Sequence, residues 1–278
     1  MIVMLQYMLL DCVTWNARCL TDFIKPSVWW KYMDVARDCV LKELQQGKAC
    51  QLDLKSFDIK FTAAATELSQ PGLRFHQKAL FFMQTPFRFH CSVDKVDERL
   101  MCFAYVVVNL RNGAVVATAS SCHFVNVSVK NAFLLRCGDA LRTKVFSGSE
   151  CIEPLYAERA GTPETCYSSN ALISYFDTNA DGQVTSVAYL DMCLNCADEA
   201  VRSKFLRSFQ GTICKHTVKR AAFHTLLQGS RCGDAVDIAM WEDQKNPYFL
   251  FFDLQPLCNQ KVCRVILEFF PSNPDAHL

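Results

Sequence analysis

The chain has 278 residues, enough for one large domain or for two smaller ones that each bury a core. With 29 basic and 28 acidic side chains, its formal net charge of +1 gives no footprint for nucleic acid or an anionic membrane surface. The 16 cysteines are scattered through apolar patterns, which indicates buried thiols in a reducing compartment. The apolar start, MIVMLQYMLLD, is too short to span a membrane and lacks the basic leader and cleavage site of a signal peptide. We therefore expect a soluble protein.

The first predicted elements are a short strand over 9–15 and a long helix over 28–45. Ser27 stands at the N-cap position of this helix, and Gly47 marks its end. The predicted buried face consists of Val28, Tyr32, Val35, Ala36, Cys39, Val40 and Leu44.

Strands dominate the rest of the first half. They are predicted in 51–66, 73–83, 87–93, 99–110 and 114–129. Asn112 and Gly113 join the last two, and this dipeptide is typical of a tight hairpin turn. Residues 131–141 have weak helical character, whereas 148–169 have the Gly, Ser, Thr and Pro content of a linker.

The same order of elements recurs in the second half. An apolar run over 172–176 leads into a polar loop with Asp177, Asn179 and Asp181 at alternate positions, and Gly182 turns the chain. A long helix follows, and further strands are predicted in 212–227, 234–241, 248–254 and 261–270. The apolar stripe of the helix consists of Val187, Tyr189, Leu190, Cys193, Leu194, Ala197 and Ala200.

The two halves can be laid over each other. An offset of 160 residues (189 − 29) places Trp29 on Tyr189 and makes the two helices coincide. Few residues are identical, so what repeats is the order of elements and the spacing of apolar residues. This repeat predicts two similar units within one chain.

A strand, a loop, one long apolar helix and a meander of strands resemble the hotdog fold, in which a curled antiparallel sheet wraps one helix. The closest resemblance is to hotdog thioesterases of the 4-hydroxybenzoyl-CoA and acyl-carrier-protein type. Their acidic turn, followed by a Tyr, resembles 177–184 with Tyr189. The first helix, WWKYMDVARDCVL, resembles the family helix through Trp29, Asp34, Ala36 and Arg37.

The turn departs from the family pattern. The plant-type Asp-x-Asn-x-His falls on Asn179, Asp181 and Gln183, so acid and amide are exchanged and the histidine is a glutamine. The catalytic Asp of 4-hydroxybenzoyl-CoA thioesterase-like enzymes falls on Asn179, and on Cys19 in the first half, where no acid occurs before Asp22. The first-half site therefore looks lost, and the second keeps a displaced carboxylate.

Thioester hydrolysis needs a carboxylate to activate water or to attack, backbone N–H groups for the oxyanion, and an apolar tunnel. Asp181 is the best candidate for base or nucleophile, with Asn179 or Gln183 positioning water and Asp177 nearby. The predicted substrate-binding residues are Gly182, Val184, Thr185 and Tyr189. If the helix starts there, the four backbone N–H groups of 182–185 are expected to hold the oxyanion.

Other interpretations of these residues stay open. Asp177 and Asp181 could simply cap and solvate a turn. The loop also matches several positions of a calcium-binding EF-hand, but Ala188 stands where the bidentate Glu is needed. Cys193 and Cys196 could bind zinc, although buried thiols are the simpler explanation because no second ligand pair follows. No Gly-x-Ser-x-Gly motif supports a serine hydrolase. Trp29 and Trp30 are expected in the helix core.

The predicted class is α+β, a tandem hotdog with its sheets joined edge to edge. The predicted boundaries are 1–130 for the first unit, 131–169 for a linker, 170–270 for the second unit and 271–278 for a flexible tail. Such a chain is a pseudo-dimer in itself. No cofactor and no metal is expected.

The resemblance implies an acyl thioester hydrolase, most plausible for fatty acyl-CoA. A catalytically inactive acyl-CoA-binding or regulatory module is the alternative, because Asn179 and Cys19 replace acids. A hotdog dehydratase is disfavoured, since no His and acid pair stands at the helix starts. The ending Ala276, His277 and Leu278 is similar to the peroxisomal Ser-Lys-Leu address, which predicts an import receptor as partner and favours CoA esters.

Overall fold

The backbone forms one ten-stranded antiparallel sheet with the strand order β1-β3-β4-β5-β2-β7-β10-β9-β8-β6. The computed structural model describes residues 5–10, 26–45, 52–62, 87–96, 100–125, 163–179, 182–213, 216–225, 230–256 and 263–271. The first half contributes β1 (Leu5–Leu10), β2 (Leu52–Phe61), β3 (Phe87–Val96), β4 (Leu100–Asn109) and β5 (Val115–Val125). The second half contributes β6 (Tyr167–Leu172), β7 (Val218–Thr225), β8 (Ala235–Glu242), β9 (Phe249–Pro256) and β10 (Cys263–Phe269).

The strand order repeats with inverted direction on the two sides of the β2–β7 pair. The first half runs β1-β3-β4-β5-β2 toward this pair, and the second half runs β6-β8-β9-β10-β7 toward it from the other edge. Read from either edge toward the β2–β7 pair, the nth strand of one half therefore corresponds to the nth strand of the other. This is the pattern expected of two copies of one unit joined edge to edge, as the repeat predicted.

One long helix accompanies each half of the sheet. Helix α1 spans Pro26–Gln45 and helix α2 spans Ser186–Arg202, so their starts differ by the predicted 160 residues (186 − 26). Helix α1 contacts β1 and β3, α2 contacts β6 and β8, and the two helices contact each other. Within the described ranges, no helix is long and apolar enough to cross a membrane.

Helix α1 buries only part of the predicted face, in which Ala36 and Val40 are buried as expected and Tyr32 packs against the core. Val35, expected inside, is 39% exposed, and the side chains of Val28 and Leu44 are outside those described. The helix turns its bulkiest groups inward, since these remove the most apolar area from water. The buried side chains are Trp29, Trp30, Met33, Ala36, Val40 and Leu41.

Four stacked rings, here called the aromatic column, connect the two units. Trp30 of α1 stacks on Phe57 of β2 at 4.0 Å between centroids, and Phe57 stacks on Phe223 of β7 at 5.3 Å. Phe223 in turn lies 5.9 Å from Tyr189 of α2. Phe57 and Phe223 are directly paired in register, so the column crosses the junction of the units. The repeat alignment matched Tyr189 with Trp29, whereas Trp30 is its counterpart in the column.

The β2–β7 junction is here called the seam. An ion pair lies on the face of the seam opposite to the aromatic column. Arg220 of β7 donates from Nε to Asp58 Oδ1 of β2 at 2.7 Å and from a second nitrogen to Oδ2 at 2.5 Å. The side chain of Asp58 is 5% exposed and that of Arg220 is 12% exposed. A two-point contact between buried charges is geometrically specific, and it fixes the seam in one register.

Most predicted elements of the described part are present within a few residues. The first strand lies at Leu5–Leu10, earlier than predicted, and residues 11–25 are outside the described residues. The turn at Asn112–Gly113 is confirmed by a φ of +71° at Gly113 and by the hydrogen bond from its N–H to the Asn109 carbonyl. Strand β6 begins at Tyr167, inside the segment 131–169 assigned to the linker. The predicted elements at 73–83 and 131–141 and the tail from 272 lie outside the described residues, and the domain boundaries stay predictions.

Ser27 does not cap α1. It lies inside the helix, which begins at Pro26, and its hydroxyl donates to Asp191 of α2 at 2.8 Å. Proline is favoured in the first helical turn because its missing N–H has no partner there in any case. The Ser27 side chain, predicted to cap the end of α1, thus links α1 to α2.

We expect Asp58→Ala to lower the free energy of unfolding by about 3–5 kcal/mol, because it removes the buried carboxylate that accepts two hydrogen bonds from Arg220. Urea unfolding measures this. Lys60→Ala is the matched control, since the Lys60 ammonium lies 3.8 Å from the same carboxylate but its side chain is 61% exposed. That variant should stay within about 0.5 kcal/mol of the wild type. Equal effects of the two substitutions would contradict the assignment of the seam to the buried pair.

Candidate active site

The polar loop before α2 folds into a small hairpin, here called the loop hairpin, over 177–185. Thr178 and Val184 form an antiparallel bridge, and Asn179 donates its N–H to the Gln183 carbonyl at 2.8 Å. Gly182 has a φ of +73°, which suits a residue without Cβ. The loop hairpin therefore delivers the chain to the first turn of α2 in a defined direction.

The carboxylate of Asp177 is used within its own turn. It ends a short 3-10 helix, Tyr175–Asp177, and its Oδ2 accepts from the N–H of Ser174 at 2.8 Å and from the hydroxyl of Ser174 at 2.6 Å. This is the reciprocal pairing of a capping box. Of the two interpretations of Asp177, the contacts favour the cap.

The four N–H groups predicted for the oxyanion are engaged inside the protein. Gly182 donates to the Asn179 carbonyl at 3.0 Å, and Gln183 donates to the Asn179 side-chain oxygen at 3.0 Å. Val184 donates to the Ser230 carbonyl at 2.9 Å, and Thr185 donates to the Asp177 carbonyl at 2.9 Å. These four N–H groups stabilise the loop hairpin. Hydrogen-bond donors for an oxyanion are therefore sought after Thr185, in the first turn of α2.

Helix α2 begins one residue after Thr185, which is its N-cap. The Thr185 hydroxyl accepts the N–H of Ala188 at 3.2 Å, as N-cap side chains do. Among the described residues, the N–H groups of Ser186 and Val187 have no hydrogen-bond acceptor. Since the N-terminus of a helix carries partial positive charge, these two groups are suited to hold an anionic oxygen.

Helix α1 lies against this same first turn of α2. The indole N–H of Trp30 donates to the Ser186 hydroxyl at 2.9 Å, and Ser27 donates to the Asp191 carboxylate at 2.8 Å. Trp30 is fully buried, whereas Asp191 is half-buried. The Asp191 carboxylate, the hydroxyls of Ser27 and Ser186, and the first turn of α2 thus lie where α1 meets α2.

Two of the predicted substrate-binding residues belong to the core. Val184 is 9% exposed and Tyr189 is 2% exposed. The Tyr189 hydroxyl accepts the N–H of Ser230 at 3.2 Å, and burial raises its pKa. Tyr189 therefore links α2 to the loop at Ser230 through a hydrogen bond. The side chain of Val184 packs in the core and holds the loop hairpin there.

Asp181, the predicted base or nucleophile, lies outside the described residues, as do Ala180, Cys19 and Asp22. What the structure describes is its setting, in which Asn179 before it and Gly182 after it are joined by a hydrogen bond of 3.0 Å. The role of Asp181 stays a prediction.

A second polar group, here called the buried polar chain, lies inside the first unit between α1 and the sheet. Arg37 of α1 donates to Asp34 at 2.8 Å, and its guanidinium lies 3.5 Å from Nε2 of His123 on β5. The same Nε2 lies 2.9 Å from the Ser121 hydroxyl, which lies 3.0 Å from the hydroxyl of Tyr105 on β4. His123 is completely buried, and its Nδ1 has no hydrogen-bond partner within the described structure.

Burial shifts the pKa values of two members of the buried polar chain, Asp34 and His123. Burial raises the pKa of Asp34 to about 6, against the opposing effect of Arg37. Burial, with a further contribution from the Arg37 charge, lowers the pKa of His123 to about 2. The imidazole is therefore neutral in the folded protein near pH 7.

The remaining candidates have structural explanations. The side chains of Asp177 and Asn179, two of the calcium-type positions, accept hydrogen bonds from the loop's own backbone. Cys193 and Cys196 are 0% and 1% exposed, which confirms the prediction of buried thiols, and burial raises the pKa of Cys196 to about 12. In the part of the chain that the structure describes, no group of three or more His, Cys, Asp or Glu side chains could hold a metal ion.

Comparison with known proteins adds information on the fold. No protein-family model and no curated protein sequence matches the chain. An acyl-ACP thioesterase from Bacteroides thetaiotaomicron matches with a TM-score of 0.62 at 15% identity, over 97% of this chain and 98% of that one. The 12:0-ACP thioesterase from Umbellularia californica matches with a TM-score of 0.66 at 10% identity, over 94% and 95%. A tesB protein from Mycobacterium avium subspecies paratuberculosis matches with a TM-score of 0.51 at 9% identity, over 96% of both chains.

These matches extend over nearly the whole length of each chain, and they confirm the predicted class. The protein has the α+β double-hotdog fold that thioesterase structures share. At such low identity the likeness concerns the fold.

Sequence reasoning missed Asp191, Ser186 and the inner end of the buried polar chain. The sequence contained a signal for the first and the last of these. Asp191 lies between the buried residues Leu190 and Met192, where a carboxylate needs a partner. Ser121 and His123 continue the alternation of inward-facing residues along β5, so their polar side chains had to point into the core.

We expect Thr185→Ala to lower the free energy of unfolding by about 1 kcal/mol, because the Ala188 N–H loses its cap. Thr185→Ser keeps the hydroxyl and should lose much less. Chemical denaturation of both variants measures the difference, and an equal loss for serine would show that the methyl group matters and the cap does not.

Stability should also depend on pH through His123. Its pKa is near 6.5 in an unfolded chain and about 2 in the folded protein, so the unfolded state binds more protons between these values. The free energy of unfolding should therefore fall as pH drops below about 6.5, by at most about 1.4 kcal/mol per pH unit from this one group. In His123→Gln the slope should decrease.

Phe103→Leu is the control for this experiment, because Phe103 packs edge-on against His123 at 5.6 Å but does not titrate. It should lower stability at every pH and keep the wild-type slope. Urea unfolding between pH 4 and pH 8 tests both variants. An unchanged slope in His123→Gln would contradict a neutral buried imidazole.

Proposed function

We propose that this protein hydrolyses fatty acyl thioesters, with its reaction centre between the loop hairpin and the first turn of α2. The observation that carries the proposal is the first turn of α2 at the junction of two hotdog units. There the N–H groups of Ser186 and Val187 have no acceptor among the described residues, and α1 contacts Ser186 and Asp191. The full-length likeness to acyl-ACP thioesterases supports the same class of substrate.

In the proposed mechanism, the Asp181 carboxylate accepts a proton from a water molecule whose oxygen attacks the thioester carbonyl carbon. Negative charge develops on the carbonyl oxygen, and the N–H groups of Ser186 and Val187 hold it. The carbon–sulfur bond then breaks, the thiolate takes up the proton, and a free fatty acid remains. Asn179 or Gln183 positions the water.

Asp191 is a second candidate for the carboxylate. It lies on α2 five residues after Ser186 (191 − 186), and Ser27 orients it through the hydrogen bond from the opposite helix. Asp177 is a poorer candidate because Ser174 already occupies its carboxylate. The roles of the two remaining acids can be separated by substitution.

The second function we consider is an acyl thioester-binding module without turnover. The engaged N–H groups of Gly182, Gln183, Val184 and Thr185 favour it, since they leave fewer donors for an oxyanion than the sequence indicated. Such a module would bind the substrate and release no thiol.

Fatty acyl-CoA stays the predicted substrate. The substrate that the Umbellularia californica name specifies is an acyl-ACP, and the Bacteroides thetaiotaomicron protein is also an acyl-ACP thioesterase, so both carriers belong in the assay. The peroxisomal address at Ala276, His277 and Leu278 lies outside the described residues and stays a prediction.

We expect the purified protein to release thiol from acyl-CoA or acyl-ACP of graded chain length, measured with a thiol reagent. Asp181→Asn should lower kcat by about 10²–10⁴-fold, the usual contribution of general base catalysis. Asp177→Asn is the matched control in the same loop hairpin, and it should keep kcat within a few-fold because its carboxylate serves as a cap.

Other results would redirect the proposal. Loss of turnover in Asp191→Asn, with Asp181→Asn active, would move the base to α2. Saturable binding of the acyl thioesters without thiol release from the wild type would show the binding module.

A further inference from the structure

Two cysteines face each other on the outer side of the first unit's sheet. Cys102 of β4 and Cys122 of β5 are direct partners in the antiparallel register, and their sulfur atoms lie 2.8 Å apart. Their neighbours Phe103, Ser121 and His123 point to the opposite, helix-facing side, because side chains alternate along a strand. The cysteine pair is therefore separated from α1 by the thickness of the sheet.

The backbone already has the geometry that a disulfide needs. Directly opposed residues of an antiparallel pair have Cα atoms roughly 4.5–5.5 Å apart, which falls inside the roughly 4.4–6.8 Å found for disulfides. The two sulfurs have to approach by less than about 1 Å to reach a bond of about 2.05 Å. Small side-chain rotations suffice, and the strands need not move.

The surroundings favour the thiolate form of one member. The hydrogen bond with Cys102 lowers the pKa of Cys122 to about 7, against its burial, and the charge of Lys55 and the hydroxyl of Ser56 act in the same direction. Lys55 is held nearby, with its ammonium 5.7 Å from the ring of Phe124. Because the thiolate is the nucleophile in thiol–disulfide exchange, Cys122 is the attacking sulfur.

We propose that Cys102 and Cys122 form a reversible thiol–disulfide site that exchanges with low-molecular-weight disulfides such as oxidised glutathione. The Cys122 thiolate attacks one sulfur of the small disulfide, forming a mixed disulfide and releasing one thiolate, which is protonated to a thiol. Cys102 then attacks the Cys122 sulfur, the mixed disulfide breaks, and a second thiol leaves with the Cys102 proton. Two cysteines are oxidised, one small disulfide is reduced to two thiols, and the Cys102–Cys122 bond remains.

Three other described cysteines differ from Cys122 because burial raises the pKa of their thiols. Cys193 and Cys263 are fully buried, and burial raises the pKa of both thiols. Burial likewise raises the pKa of Cys91 to about 12. The site proposed at Cys102 and Cys122 does not depend on thioester hydrolysis, because it lies on the other face of the sheet.

The test uses the full-length protein equilibrated with oxidised and reduced glutathione at several ratios, then alkylated and digested with trypsin without reduction. Cleavage after Arg99, Arg111 and Lys130 places the two cysteines in separate peptides, 100–111 and 112–130, each with one cysteine. We expect a single linked pair of these peptides in the oxidising buffers, which disappears in the reducing ones. The oxidised protein should melt about 5 °C higher than the reduced protein, since the bond closes a loop in the unfolded chain.

Variants decide between the proposal and incidental oxidation. Cys232→Ser, which removes an exposed cysteine outside the pair, should leave the linked peptides and the shift in Tm unchanged. Cys122→Ser should abolish both, and Cys102→Ser should leave Cys122 as a mixed disulfide with glutathione. Peptides 100–111 and 112–130 that stay separately alkylated at every ratio would overturn the proposal, as would linkage of either cysteine mainly to a third one.

Discussion

The pairing of β2 with β7 is the constraint on which the rest of the molecule depends. On its inner face, the aromatic column stacks Phe57 on Phe223 and connects both helices to the seam. On its outer face, Asp58 and Arg220 fix the register. Because the seam joins the two half-sheets into one, it also brings the first turns of the helices together. The candidate active site exists only as long as this pairing does.

Much of this architecture could be predicted from the order and period of apolar residues. The offset of 160 residues between the helix starts is visible in the sequence because each unit repeats strand, helix and meander. The buried face of α1 could not be predicted reliably, since two stripes have helical spacing and only the sheet decides between them. The indoles of Trp29 and Trp30 filled the space under β2 and β3, and Val35 was left at the surface.

The candidate site was predicted in its location and less well in its details. Alternating polar residues and a glycine mark a turn before a helix, so the position of the loop hairpin follows from local rules. Which polar atoms are already occupied depends on contacts over long sequence distances. Val184 donates to Ser230, and Ser27 donates to Asp191, and neither partner can be inferred from spacing. The same limit concealed the buried polar chain, in which Arg37 and His123 come from a helix and a strand far apart in sequence.

The one-sided chemistry of the seam has a consequence for self-association. In a symmetric dimer each edge must be complementary to itself. Here Asp58 lies opposite Ala222, and its arginine is supplied by β7 alone. If β2 paired with β2 of another molecule, the Asp58 carboxylate would lose its two-point contact with Arg220 and keep only the Lys60 ammonium at 3.8 Å, which belongs to an exposed side chain. Because the two halves are covalently linked, β7 is always at hand to pair with β2. The buried charge of Asp58 therefore favours pairing within the molecule over pairing of β2 with a second copy.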